Sequence, residues 1–253
     1  MSAEWLCGIS FWISLGAAVT TAFVWYFHGT LARTTGYIAF SASLILVGSI
    51  WVQVGRPPLS GAFESLSFMA LMLTLLAIIP QPDPTSGPLL TCMIWVSVAV
   101  LLIILAWIPR QLNPDWFLYQ YFWTRSFFLC RLTALVLLLY SSLIALSWPH
   151  AGQENGARNL MIHRSRRYLL TGTAVFLVGE MSGFYWCLVW RGDYWLWNRN
   201  FLESTMIFLL ANAALHLPPR LAAFPKVLRV AYGLPGLMAM IVYLIHQITE
   251  AFL

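Results

Sequence analysis

GFYWCLVWRGDYWLWN, residues 183–198, closes one long apolar segment and stands just before the next. It is dense in glycine and tryptophan, and its aromatics flank a short polar break, Arg191-Gly192-Asp193. A membrane helix has this appearance where its aromatic belt broadens into a platform at the water interface. Such a platform suits a flat, apolar ligand, and it places the segments on either side in a bilayer.

The rest of the chain agrees. Of its 253 residues 60% are hydrophobic and only 9% charged, with a mean hydropathy of +0.76, which leaves too little polar surface for a water-soluble globule of this size. The apolar runs reach the ~20 residues that a helix needs to cross a bilayer, and they lack the alternation of barrel strands. The expected fold is all-α, a polytopic transmembrane helical bundle with aromatic external loops. The first apolar run begins at Trp5 without a basic leader or a small-residue cleavage site, and so reads as a retained span. The net charge of +5 lies mostly in loops and speaks to orientation. No basic tract is long enough to track phosphates, which sets nucleic acid aside. Cys7, Cys92, Cys130 and Cys187 are scattered singly through apolar segments without C-x-x-C spacing, as small core residues are.

Apolar windows bounded by turn residues mark about eight spans, at roughly 5–27, 36–54, 63–80, 89–108, 126–148, 168–190, 201–217 and 228–250. The breaks between them include GRPPLSG at 55–61, QPDPTSGP at 81–88, PRQLNPD at 109–115, a polar stretch over 148–167 and HLPPRLAAFPK at 216–226. With neither a soluble domain nor an internal repeat, residues 1–253 read as one transmembrane domain. Arg33, Arg158, Arg164, Arg166, Arg167, Arg220, Lys226 and Arg229 fall in loops on one side; Arg56, Arg110, Arg125, Arg191 and Arg199 fall on the other. The richer set belongs in the cytoplasm. Both termini and the tryptophan-rich loop then face outward, joined there by 55–65 and by the aromatic 114–123. Each of these loops alone reads as an interfacial anchor; three on one face is less ordinary.

These residues resemble the heme-handling cytochrome c assembly proteins, the CcsA, CcmC and CcmF group, and most of all the CcsA branch. That family carries G-x-x-W followed by W-G-x-Y-W-x-W-D-P-K-E, matched here at Gly183, Trp186, Gly192, Tyr194, Trp195 and Trp197. A family histidine follows eighteen residues after the signature Asp, and the same count from Asn198 reaches His216. A second motif, P-L-S-N-x-Y-E, is echoed by Pro58, Leu59, Ser60 and Glu64, with Gly61 and Phe63 as mismatches. The resemblance covers roughly residues 55–217. It implies a protein that holds non-covalent, b-type heme on the outer face of an inner, cytoplasmic or thylakoid membrane and presents it to apocytochrome c. Tryptophans would sandwich the porphyrin and histidines would ligate iron. His216 is the metal ligand this implies. His246, in the last span, is the one histidine near the level of the family's second external one.

The departures are specific. Arg191 replaces the family's leading Trp, and Asn198, Arg199, Asn200 and Phe201 replace Asp-Pro-Lys-Glu. Where the family places an external histidine, this chain has Cys130 and Arg131. The loop is therefore more cationic, with Arg191 and Arg199 suited to heme propionates or to an acidic partner surface. A partner membrane protein is expected to donate the missing ligand or cover the aromatics.

Ionisable groups at membrane depth are costly and point to function. Glu180 and His216 differ in depth by ~7 Å at 1.5 Å per residue, close enough to meet on adjacent antiparallel helices. For His216 two readings stand, a heme ligand or an interfacial histidine bonded to a carbonyl. Glu180 reads as a structural partner of His216 or Arg131, and Arg131 as a snorkelling arginine. His28, His150 and His163 lie in or beside cytoplasmic loops.

No Ser/His/Asp set, phosphate loop or H-E-x-x-H is present, so the chain is an enzyme only if heme attachment within a complex counts. The leading reading is heme handling in cytochrome c-type biogenesis. The alternative is a divergent structural subunit of a respiratory or photosynthetic assembly without heme chemistry of its own. A transporter is weaker, because paired Gly/Pro-broken spans are not evident.

Overall fold

In a bilayer every backbone polar group must be satisfied internally, and helices do this within one segment. The computed structural model follows that rule: the described residues, 3–25, 29–79, 87–112, 120–148, 155–192 and 199–252, form helices and connecting turns with no strand. The helices are α1 (Ala3–Val24), α2 (Gly29–Val54), α3 (Ala62–Ile78), α4 (Gly87–Trp107), α5 (Phe122–Leu146), α6 (Asn155–Arg191), α7 (Arg199–Leu215), the single turn α8 (Pro219–Ala222) and α9 (Pro225–Phe252). Segments of α1, α2, α4, α5, α6 and α9 are long and apolar enough to cross a membrane. The other two apolar helices, α3 and α7, have 17 residues each, or ~26 Å of rise, short of a hydrocarbon core of ~30 Å.

Two compact units emerge, residues 1–116 with 247–253, and residues 117–246. In the first, α1 and α2 pack antiparallel through hydroxyls: Ser14 and Ser43 share a 2.6 Å hydrogen bond, and Thr21 donates to Thr35 at 2.8 Å. Phe11, Leu46, Ile50, Leu66, Leu73 and Trp95 are buried in its interior.

In the second unit α5 and α6 run antiparallel in close contact. A Cβ on Gly179 would meet Cys130 at 3.1 Å and one on Gly183 would meet the Phe127 ring at 2.6 Å. Small residues permit this approach, which is how helices associate where lipid supplies no hydrophobic drive. Ser141 and Ser165 join the same seam, Ser141 Oγ donating to the Ser165 carbonyl at 2.7 Å and Ser165 Oγ to the Ser141 carbonyl at 3.0 Å. Helix α9 contains Pro235, which has no N–H to donate and crowds the carbonyl one turn back. The next turn is supported from outside. Gly236 N donates to Ser142 Oγ at 3.0 Å, and Ser142 Oγ lies 3.4 Å from the Tyr232 carbonyl. The serine hydroxyl of α5 thus bridges the Gly236 N–H and the Tyr232 carbonyl, one turn apart on α9. A Cβ at Gly236 would lie 2.0 Å from the Leu138 carbonyl, so the two backbones touch.

Two helix starts differ from the sequence reading. Much of the polar stretch expected as a loop over 148–167 is helical, because α6 begins at Asn155 and continues for 37 residues, ~55 Å. Its arginines are good helix formers, and Arg164 and Ser165 find partners on α5. Likewise α2 starts at Gly29 rather than near 36, so Arg33 is helical.

Candidate functional site

The second unit places four ionisable side chains and a hydroxyl on neighbouring helices. Glu203 and Ser204 lie in the second turn of α7 and are buried. Ser204 Oγ donates to Glu180 Oε1 on α6 at 3.1 Å. Glu203 Oε1 lies 3.6 Å from His246 Nδ1 on α9, with both side chains nearly buried at 11% and 14% exposure. That distance is longer than a hydrogen bond. Arg131 on α5 is half-buried, close enough to act electrostatically on Glu180, with its guanidinium 5.5 Å from the Phe127 ring centre. Adjacent positions on α7 thus engage α6 and α9 at one level.

A carboxylate this near a histidine Nδ1 would, on closing to a hydrogen bond, orient the ring and leave Nε2 as the nitrogen a metal would take. Arg131 and Glu180 supply opposite charges where isolated ones would be costly. The group is suited to holding a ligand by charge and by one imidazole. Among the described residues no three His, Cys, Asp or Glu side chains gather as a metal-binding group.

Trp186 lies on α6 above this level, its ring 6.5 Å from Phe127 and inclined by 30°. Its buried Nε1 meets no partner among the described residues. Nearby, Tyr185 packs on Trp123 with ring centres 4.6 Å apart. Tyr194, Trp195 and Trp197 lie outside the described residues; Arg191 ends α6 and Arg199 begins α7.

His216 stands elsewhere. It follows the last residue of α7, is exposed, and its Nδ1 lies 3.0 Å from the Asn212 carbonyl. Thirteen residues separate it from Glu203, ~20 Å along a helix. His216 and His246 therefore cannot ligate opposite faces of one porphyrin. Nor do Glu180 and His216 meet, since Glu180 faces Ser204 at the other end of α7.

In the first unit the turn 55–61 leads into α3, with Gly55 at φ 71° and Gly61 at φ 81°. L side chains rarely adopt such angles, so the glycines set this turn. It brings Arg56 onto Glu64 in a two-pronged pair: Nη1 to Oε2 at 2.7 Å and Nη2 to Oε1 at 3.0 Å, at 4% and 0% exposure. Ser60 N also approaches Glu64 Oε2, at 3.4 Å. The motif residue Glu64 is thus the anchor of its own loop.

Sequence reasoning missed Glu203 and its contact with His246. The signal was present, an acid within an apolar helix, the same signal that singled out Glu180. It also read Arg56 as a loop charge, although the pair with Glu64 buries it.

A solved structure titled "Cytochrome c Heme Lyase CcmF" superposes on 96% of this chain with a TM-score of 0.71 and 18% sequence identity. At that identity the likeness is one of fold. This chain spans about half of that protein, 47% of its length. No family model and no curated protein matches the sequence.

Proposed function

We propose that this chain handles heme in cytochrome c-type biogenesis, as a single membrane-embedded domain working with a partner protein on the outer face of the membrane. The observation that carries the reading is the His246–Glu203 contact, five residues beyond the end of the tryptophan-rich segment, on a fold like that of a cytochrome c heme lyase. The residues present suit heme as cargo. His246 offers an imidazole that the nearby carboxylate would orient, Trp186 offers an aromatic face and an unused donor, and Tyr194, Trp195 and Trp197 would complete the apolar platform. Arg191 and Arg199 would take the propionates. With one histidine at this level, the opposite axial position falls to the partner, and apocytochrome c is the recipient. His216, at the far end of α7, would serve a second, inner heme position through Nε2.

Absorption spectra of the purified protein, with and without reductant, test this. A reducible b-type Soret band that shifts in His246→Ala and returns with added imidazole supports the outer site; the same behaviour in His216→Ala supports the inner one. Heme-loaded protein whose spectrum neither variant changes ends both ligand assignments. No band after reconstitution with heme and partner favours the structural-subunit alternative. Replacing Trp195 and Trp197 together with Ala should lower partner co-purification and cytochrome c maturation. If both are unaffected while the protein accumulates in the membrane, the aromatics are an interfacial anchor.

A further inference from the structure

At the opposite end of the second unit, the end of α5, the early turns of α6 and the start of α9 come together around three arginines. Arg164 Nη2 donates to Tyr140 Oη at 2.6 Å, and its guanidinium carbon lies 5.7 Å and 6.0 Å from the ring centres of Tyr140 and Tyr168. Its Nη1 is buried and meets no partner among the described residues. Arg229 reaches across from α9 and donates to the Leu146 carbonyl at the end of α5. Arg166 is exposed and close enough to Tyr232 to act on it electrostatically. Trp148 packs edge-on against Tyr232 with ring centres 6.2 Å apart.

Among the described residues this end holds positive charge without a matching acid. The only carboxylates among the described residues of the second unit are Glu180 and Glu203. Glu180 lies sixteen residues beyond Arg164 on α6, ~24 Å away, and Glu203 stands at the level of Glu180. A partly buried guanidinium facing only a neutral hydroxyl and aromatic rings is undercompensated. What the cluster lacks is an anion with several acceptor oxygens, the geometry that an arginine fork matches best.

We infer that this arginine–tyrosine cluster is a binding site for a phosphate group, carried by an anionic phospholipid. Two observations favour a lipid over a soluble phosphate. Tyr168, partly exposed beside Arg164, is of the type that settles at the headgroup level of a bilayer. On the same elements Leu160 and Val230 are 50% and 61% exposed, an apolar surface against which acyl chains would lie. A basic pocket between membrane helices is the physical setting in which acidic headgroups are held. The site is independent of heme, so its test separates from that of the preceding proposal.

The test uses the full-length protein, purified, stripped of lipid and titrated with phosphatidylglycerol, phosphatidylcholine or inorganic phosphate, reading thermal stability and native mass spectra. Phosphatidylglycerol is expected to stabilise and to remain bound, phosphatidylcholine and inorganic phosphate to do neither. Arg164→Gln with Arg166→Gln should weaken phosphatidylglycerol binding at least tenfold, while Arg33→Gln in the first unit leaves it unchanged. Should the double variant fail to fold, Arg166→Gln alone, at an exposed position, should still weaken binding about threefold. Equal protection by inorganic phosphate would overturn the lipid assignment in favour of a soluble ion. Equal phosphatidylglycerol binding by wild type and variants, or none by wild type, would overturn the site.

Discussion

Replacing Ser142 with alanine removes one oxygen from the interior and disturbs two helices. The hydroxyl receives the Gly236 N–H at 3.0 Å and approaches the Tyr232 carbonyl at 3.4 Å, and Ser142 is fully buried. Without it both backbone groups lose this partner in a place water does not reach. An orphaned buried donor costs ~1–3 kcal/mol, and the longer contact to the carbonyl is worth less, so the expected loss is ~2 kcal/mol. The turn cannot readily close on itself, because Gly236 is already held against the Leu138 carbonyl and Pro235 has no N–H to share. The assay is unfolding by denaturing detergent, with Ser67→Ala as the reference: among the described residues that hydroxyl bonds within its own helix, to the Phe63 carbonyl at 2.7 Å. Ser67→Ala should cost ~0.5 kcal/mol, at the lower end for a hydrogen bond. The two serine effects should be clearly separated, and in a Pro235→Ala background the Ser142→Ala loss should shrink by at least half, a coupling that a double-mutant cycle measures. A Ser142→Ala protein as stable as Ser67→Ala, or a loss unchanged in the proline-free background, would refute the idea that Ser142 bridges this turn of α9. The proposed heme site rests on the same helix, since His246 lies ten residues beyond Gly236.

Other outcomes follow from the same reasoning. Glu64→Gln should destabilise by ~3–5 kcal/mol by leaving Arg56 buried without its carboxylate, whereas Arg56→Met with Glu64→Leu should cost far less, both read by detergent unfolding. Gly183→Leu should separate α5 from α6, because even a Cβ meets the Phe127 ring at 2.6 Å; a cysteine pair at Thr124 and Trp186 would report the change by lower cross-linking yield. If the proposed outer heme site is correct, Glu203→Gln should reduce its affinity for heme by ~10–100-fold, the range for losing a partner that orients a metal-bound histidine, with the proposed His216 site unaffected. A cysteine introduced at Gly192 should react with an impermeant reagent from outside and one at Gln153 should not, if the arginine-rich loops face the cytoplasm.

Membrane residence and helical class were legible in the residues alone, because backbone satisfaction in lipid leaves so few alternatives that composition and segment length decide between them. The approximate positions of the six helices long and apolar enough to cross were legible for the same reason, whereas α3 and α7, read as spans, are shorter. Their ends were less so: Arg158 to Arg167 read as a polar loop, yet they extend α6, since charge marks where a helix leaves the hydrocarbon and not where it stops. The tryptophan motif and His216 were visible as spacing. What spacing does not contain is which face of each helix meets which neighbour. Glu180 was legible as an intramembrane acid, but whether it met His216 or Ser204 depended on the alignment of α6 and α7. His246 gained Glu203, Arg56 gained Glu64 and Ser142 came to bridge a turn of α9 for the same kind of reason. Residues distant in sequence become partners only when helix packing sets their depth and rotation, and that is decided by close approaches such as Gly183 on Phe127 and Gly236 on Leu138.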